Sequence, residues 1–253
     1  MSVLALALIS LGVADLFRLR AWGQSARGSL IGGLAGFVTL TVFAVLADLT
    51  SGADVLLLVV AATTVGGWVF TTTSGSTLPA AVPLLVMTGG MTALVIGSGG
   101  ASPAGGDFVR WLAWTGLPAS DTPVSPDTVL LVTGLALVQV ATANTVVRLV
   151  LTQIGALGPT GSPQASDHLR GGRILGPMER LIILGLGLAG EVTAASLVIA
   201  AKGLIRWPEL RHSDLKESDQ VGVDAVTEYF LVGSMLSWIL ALLALATARL
   251  VSG

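Results

Sequence analysis

Residues 177–206 read PMERLIILGLGLAGEVTAASLVIAAKGLIR, a run of mostly apolar and small residues with a carboxylate, Glu191, near its middle. A hydrocarbon core about 30 Å thick is crossed by roughly 20 residues of helix, so the run from Pro177 to Arg206 predicts a membrane-spanning helix. An ionised acid at its centre would cost about 2.5–3.5 kcal/mol on insertion scales, and a carboxylate at that depth marks an ion or substrate path by default. At about 100° per residue, eleven positions bring a side chain back to within about 20° of its starting face. Arg180, Glu191 and Lys202 are spaced in this way, and Gly187, Ala194, Ala195 and Val198 lie on the same stripe. The same eleven residues span about 16 Å along the axis, so neither base reaches Glu191 within its own helix.

The rest of the chain has the same character. Its 253 residues are 53% hydrophobic and 11% charged, with a mean hydropathy of +0.86, far from the balance of a soluble domain. Seven spans are expected, at about Val3–Phe17, Leu30–Leu49, Val55–Thr72, Leu78–Ser98, Thr128–Ile154, Pro177–Arg206 and Val223–Val251. The fold class is therefore all-α, a polytopic transmembrane bundle forming one integral membrane domain over residues 1–253. It comprises N-terminal spans within 3–98, an interfacial loop 99–127 and C-terminal spans within 128–251. Inside that loop, Asp107 to Trp114 sets Trp111 and Trp114 beside charges, as in a short helix lying in the interface or a loop with aromatic anchors.

Charge narrows the function classes. A net charge of −2 lacks the basic excess that nucleic-acid partners call for. With no cysteine, disulfides, thiolate metal sites and cysteine nucleophiles are excluded. His168 and His212 lie in connections outside any H-E-x-x-H pattern, and there is no G-x-S-x-G or phosphate loop. Asp107, Asp121 and Asp127 match no acid pair, so an enzyme is not favoured and no metal is expected. No cofactor is expected either: seven spans would suit a retinal protein, but the last span has no lysine to hold the chromophore. Gly185 to Gly190 fits G-x-G-x-x-G, yet the dinucleotide fingerprint needs a strand before it. In a helical run these glycines, like Gly32 and Gly36, serve close helix approach.

Polar residues elsewhere form two further groups. Gln139 falls near the middle of the fifth span, followed by Thr142, Asn144 and Thr145, which makes it a neighbour for Glu191. Interhelical hydrogen bonding, at about 0.6 kcal/mol per contact, is the plain alternative. Lys202 leaves the sixth span at the depth where Glu228 enters the seventh, so the two are expected to pair, with Asp224 and Tyr229 completing a charge network. At the opposite end of the sixth span, Arg173, Glu179 and Arg180 suit an interfacial anchor or a headgroup site.

The segments Gly172-Arg-Ile-Leu-Gly-Pro-Met-Glu-Arg180, Ala200-Ala-Lys202 with Arg206 and Glu209, and Glu228-Tyr-Phe-Leu-Val-Gly233 resemble the C-terminal half of an uncharacterised bacterial membrane family, a domain of unknown function. The resemblance covers about 80 residues and implies no activity. The N-terminal half departs from it, lacking the histidine-and-aspartate-bearing first helix associated with that family. A shared role would lie in the last two spans.

The sequence thus predicts a multi-pass protein of a bacterial cytoplasmic (inner) membrane. Its function is expected to be transport or ion permeation, with Glu191, Gln139, Asn144 and Gly187 binding a proton, a cation or a small-molecule substrate. The alternative is a non-catalytic scaffold or partner subunit. Membrane lipid is an expected partner, as is a second copy or a larger membrane complex. The first apolar run lacks the positive start of a cleavable signal peptide, and Arg18, Arg20 and Arg27 after it would hold the next loop in the cytoplasm. The N-terminus is then outside and the C-terminus inside, with Lys202, Arg206, Arg211 and Lys216 counting against that orientation.

Overall fold

Proline and glycine punctuate long apolar helices throughout the chain. The computed structural model describes residues 1–21, 26–73, 78–116, 124–155, 172–201 and 220–252, in which helices are joined by turns and one 3₁₀ segment. In order they are α1 (Ser2–Ala21), α2 (Ala26–Leu46), α3 (Gly52–Thr71), α4 (Ala81–Gly97), α5 (Gly106–Thr115), α6 (Pro126–Val140), α7 (Thr142–Gln153) and α8 (Gly172–Leu188). Then come α9 (Val192–Ala201) and α10 (Gln220–Ser252). Among the described residues there is no strand.

Four helical stretches have the length and apolar character to cross a membrane: Arg27–Leu46, Gly52–Thr71, Ala81–Gly100 and Leu231–Val251. The expected fifth span, Thr128–Ile154, is instead two helices, α6 and α7, bent by 49° at Ala141. The expected sixth span is also discontinuous, because α8 stops at Leu188 and α9 covers only Val192–Ala201. Hydropathy does not register either break, since long apolar stretches flank the few residues at each.

The chain divides into two compact units, one comprising Met1–Thr142 with Thr247–Gly253 and the other Ala143–Ala246. In the first, α1 is the core. From Val3 to Leu11 almost every side chain is buried, as expected of a helix that is apolar on all sides. Glycines let its neighbours approach. A Cβ on Gly36 would lie 3.0 Å from both the Ala14 Cβ and the Ser10 carbonyl, and one on Gly134 would lie 2.9 Å from the Ala5 carbonyl. Gly32 packs against Ala14 and Arg18 in the same way, so Gly32 and Gly36 do mediate close helix approach. Helices α1 and α6 run parallel and α2 runs opposite, an arrangement set by backbone contact more than by interlocking large side chains.

One end of this unit is tied by its loops. Ser51 caps α3 in a reciprocal capping box with Asp54, and the second Asp54 oxygen accepts the Ser102 amide at 2.8 Å. The Gly105 amide donates to the Ala47 carbonyl at 2.9 Å, and the Ala104 amide to Asp127 at 3.0 Å. The starts of α1, α3 and α6 and the ends of α2 and α4 therefore meet at one end, with α5 attached there. Asp127 serves as a loop anchor. In the second unit, α7 runs antiparallel to α8 and α10: Gly233 faces Val147 and Leu151, and Gly187 meets the Leu245 side chain.

Candidate functional site

Glu191 stands at the break between α8 and α9. Gly190 adopts φ +86°, a left-handed conformation that glycine reaches without a Cβ penalty. Its amide donates to the Gly187 carbonyl at 3.1 Å, and the Glu191 amide donates to the Leu186 carbonyl at 2.8 Å. These two bonds form a Schellman motif, which satisfies carbonyls that a helix end leaves open. The Glu191 carbonyl then accepts the Ala195 amide at 3.0 Å, so the same residue is the N-cap of α9. A carboxylate at that position is favoured by the partial positive charge of the helix N-terminus. The side chain is exposed.

This arrangement corrects the single-helix reading. With the ladder interrupted at residues 189–191, Arg180, Glu191, Ala194, Ala195 and Val198 do not occupy one continuous helical face. The last glycine of the G-x-G-x-x-G match is a helix terminator, and Gly187 is where Leu245 of α10 packs closely. Gln139 is buried in the first unit, whereas Glu191 belongs to the second. Asn144, grouped with Glu191 by sequence, binds elsewhere.

Its partner is Arg180. The guanidinium donates to the Asn144 side-chain oxygen at 2.7 Å and to the Ser237 hydroxyl at 2.9 Å. Arg180 is only 2% exposed, so it is an interior residue linking α7, α8 and α10, not a headgroup anchor. Glu179 is buried as well, and its charge offsets that of Arg180. Gly176, one turn earlier, lies beside the guanidinium, and a Cβ there, 3.5 Å away, would make ordinary van der Waals contact with it. Of the other expected charges, Lys202 and the side chains of Arg173, Asp224, Glu228 and Tyr229 lie outside the described residues.

A third polar cluster, in the first unit, was not among the expected sites. Asp15 and Arg18 on α1 form an ion pair at 3.0 Å, and they are 2% and 6% exposed. The other Asp15 oxygen accepts the Trp68 indole N–H at 3.0 Å, and the buried Thr142 hydroxyl lies beside the same carboxylate. Arg18 also donates to the Thr72 hydroxyl at 2.7 Å and to its carbonyl at 2.8 Å. A cation is thereby placed on the C-terminal carbonyls of α3, where the helix dipole favours it. The signal available in the sequence was the i, i+3 spacing of opposite charges inside an apolar run. Arg18 is thus not a loop charge, as expected, but part of the packed interior.

The three sites differ chemically. The Asp15 cluster and the Arg180 cluster engage their charges internally, which suits clamps. Glu191 alone presents a carboxylate outward from an interrupted helix. Among the described residues, no group of three or more His, Asp or Glu side chains could hold a metal ion. No family model, curated protein or solved structure matches the chain.

Proposed function

We propose that this protein acts in transport or ion permeation across a membrane, with Glu191 as the coupling carboxylate. The observation that carries the reading is the position of Glu191, at the junction of two half-helices inside an apolar segment. Irregular backbone at membrane depth is tolerated only where protein covers it or where it lines a water-filled cavity. Discontinuous helices are also where secondary transporters bind their ions. The occupant would be a proton, a monovalent cation or a small cationic molecule.

In this reading the chain crosses a bacterial cytoplasmic membrane several times, with α1 as one crossing and the bent pair α6–α7 as another. With Arg18 buried, Arg20 and Arg27 mark one end of the first unit, while Asp48, Asp54, Asp107 and Asp127 lie at the other. That asymmetry supports an external N-terminus. The resemblance of the C-terminal half to an uncharacterised membrane family belongs to the same proposal.

A second reading, a non-catalytic partner subunit, draws on the exposure of Val192 and Leu197 beside Glu191. An acid among outward apolar residues would equally suit a contact with a second copy or another membrane protein.

One experiment separates the two readings. Infrared difference spectra of the reconstituted protein, recorded across pH and with different cations, would follow the Glu191 carboxyl band, with Glu191→Gln as the assignment control. A band that titrates near neutral pH or shifts with a cation supports coupling, and the same variant should then abolish the corresponding flux into proteoliposomes. A carboxyl that stays protonated at every pH would sink the transport reading and leave the partner-subunit one.

A further inference from the structure

We propose that α5 is a membrane-interface helix whose outer face, formed by Trp111 and Trp114 with the Asp107–Arg110 pair, sits in the phospholipid headgroup layer and fixes the depth of the first unit. The inference rests on the membrane reading but not on any transport role.

Two independent observations carry it. The first is the distribution of side chains around α5. Phe108 and Leu112, one turn apart, are buried against the unit. The outward side carries Trp111 at 52% and Trp114 at 81% exposure, and the exposed Asp107–Arg110 ion pair lies on that side too. Two outward indoles in bulk water would leave large apolar rings unburied. In the headgroup region the ring finds an apolar body of lipid, its N–H finds carbonyl and phosphate oxygens, and tryptophan is accordingly enriched there.

The second observation is placement. The Gly105 amide bonds the Ala47 carbonyl just beyond the end of α2, and the Ala104 amide bonds Asp127 in the first turn of α6. Gly106, at φ +59°, turns the chain into α5 and has no room for a side chain, because a Cβ would lie 2.8 Å from the Leu46 carbonyl. The helix is thus pinned at the level where α2 ends and α6 starts. The membrane-length helix α2 presents Leu34, Phe37, Val38, Val42 and Val45 outward along its length, and α5 continues that lipid-facing surface at its rim. The occupant is therefore a lipid headgroup layer.

The test uses full-length protein in phosphatidylcholine vesicles. Tryptophan emission is compared between the wild type and Trp111→Phe/Trp114→Phe, with quenching by lipids brominated near the headgroup, by lipids brominated near the bilayer centre, and by aqueous acrylamide. The emission lost in the double variant is expected to be the fraction that shallow bromines quench most strongly. As a second readout, Trp114→Cys in this cysteine-free chain would carry a spin label, expected to report a depth at the headgroup level. Emission quenched by acrylamide alone would overturn the proposal in favour of a water-facing helix. Emission reached by no quencher would overturn it in favour of a protein-covered face.

Discussion

Asp15 is held by two helices at once, through Arg18 on its own helix and Trp68 on α3. Removing one partner of a buried pair leaves the other charge uncompensated, which costs about 3–5 kcal/mol. Asp15→Asn is therefore expected to lower resistance to thermal or detergent unfolding by about that amount. Trp68→Phe, which loses one hydrogen bond to a charged group, should cost about 1.5–3 kcal/mol. Melting curves of the purified variants check both, and a wild-type midpoint for Asp15→Asn would show that the cluster is no clamp. The sequence makes half of this visible. An acid and a base three residues apart in an apolar run are plain to read, but Trp68 lies 53 positions beyond Asp15 and Thr72 lies 54 beyond Arg18, and no local pattern brings them together. Glu191 is the converse case. Its carboxylate stands out in the sequence, while the neighbouring Gly190 reads as one more small helix-packing residue until its positive φ is known.

At the scale of elements, the broken helices are where sequence and structure part. Periodicity and hydropathy continue through Ala141 and Gly190 because a break of one to three residues leaves the surrounding apolar pattern intact. The start of α3 does carry a local signal, Ser51 and Asp54 at capping-box spacing, which a hydropathy reading that begins this span at Val55 does not use. The break at Gly190 yields a clean prediction, since a Cβ there would meet nothing within 4 Å. Gly190→Ala therefore acts through backbone conformation alone, at about 1–2 kcal/mol for a left-handed residue with a Cβ. Gly190→Asn, which visits that region more readily, should cost less. Spin labels at Gly185 and Leu197 would report the half-helix geometry. Their separation is expected to change in Gly190→Ala and to hold in Gly190→Asn. An unchanged distance in both variants would mean that neighbouring helices, not glycine, impose the break.

For the whole molecule, composition and the apolar runs suffice to make the protein an all-helical, membrane-type chain. Topology was legible only as a charge asymmetry, and the structure changes which charges count. Arg18 drops out as a loop charge because it is buried on Asp15 and Thr72, leaving Arg20 and Arg27 to mark that end of the first unit. The acidic residues Asp48, Asp54, Asp107 and Asp127 gather at the other end because the ends of α2 and α4 meet the starts of α3 and α6 there. Acidic residues contribute little to orientation, so the two remaining arginines carry the argument. In intact cells, a cysteine at Trp114 should react with a membrane-impermeant maleimide, while one at Thr73, just past the end of α3, should react only after permeabilisation. Because α3 is long and apolar enough to cross the bilayer and the two positions lie at opposite ends of one compact unit, they must fall on opposite sides if that unit spans the membrane. Reversed labelling would invert the orientation and leave the fold intact. Labelling of both positions from outside would mean that the first unit does not span the bilayer, and the transport proposal would fail with it.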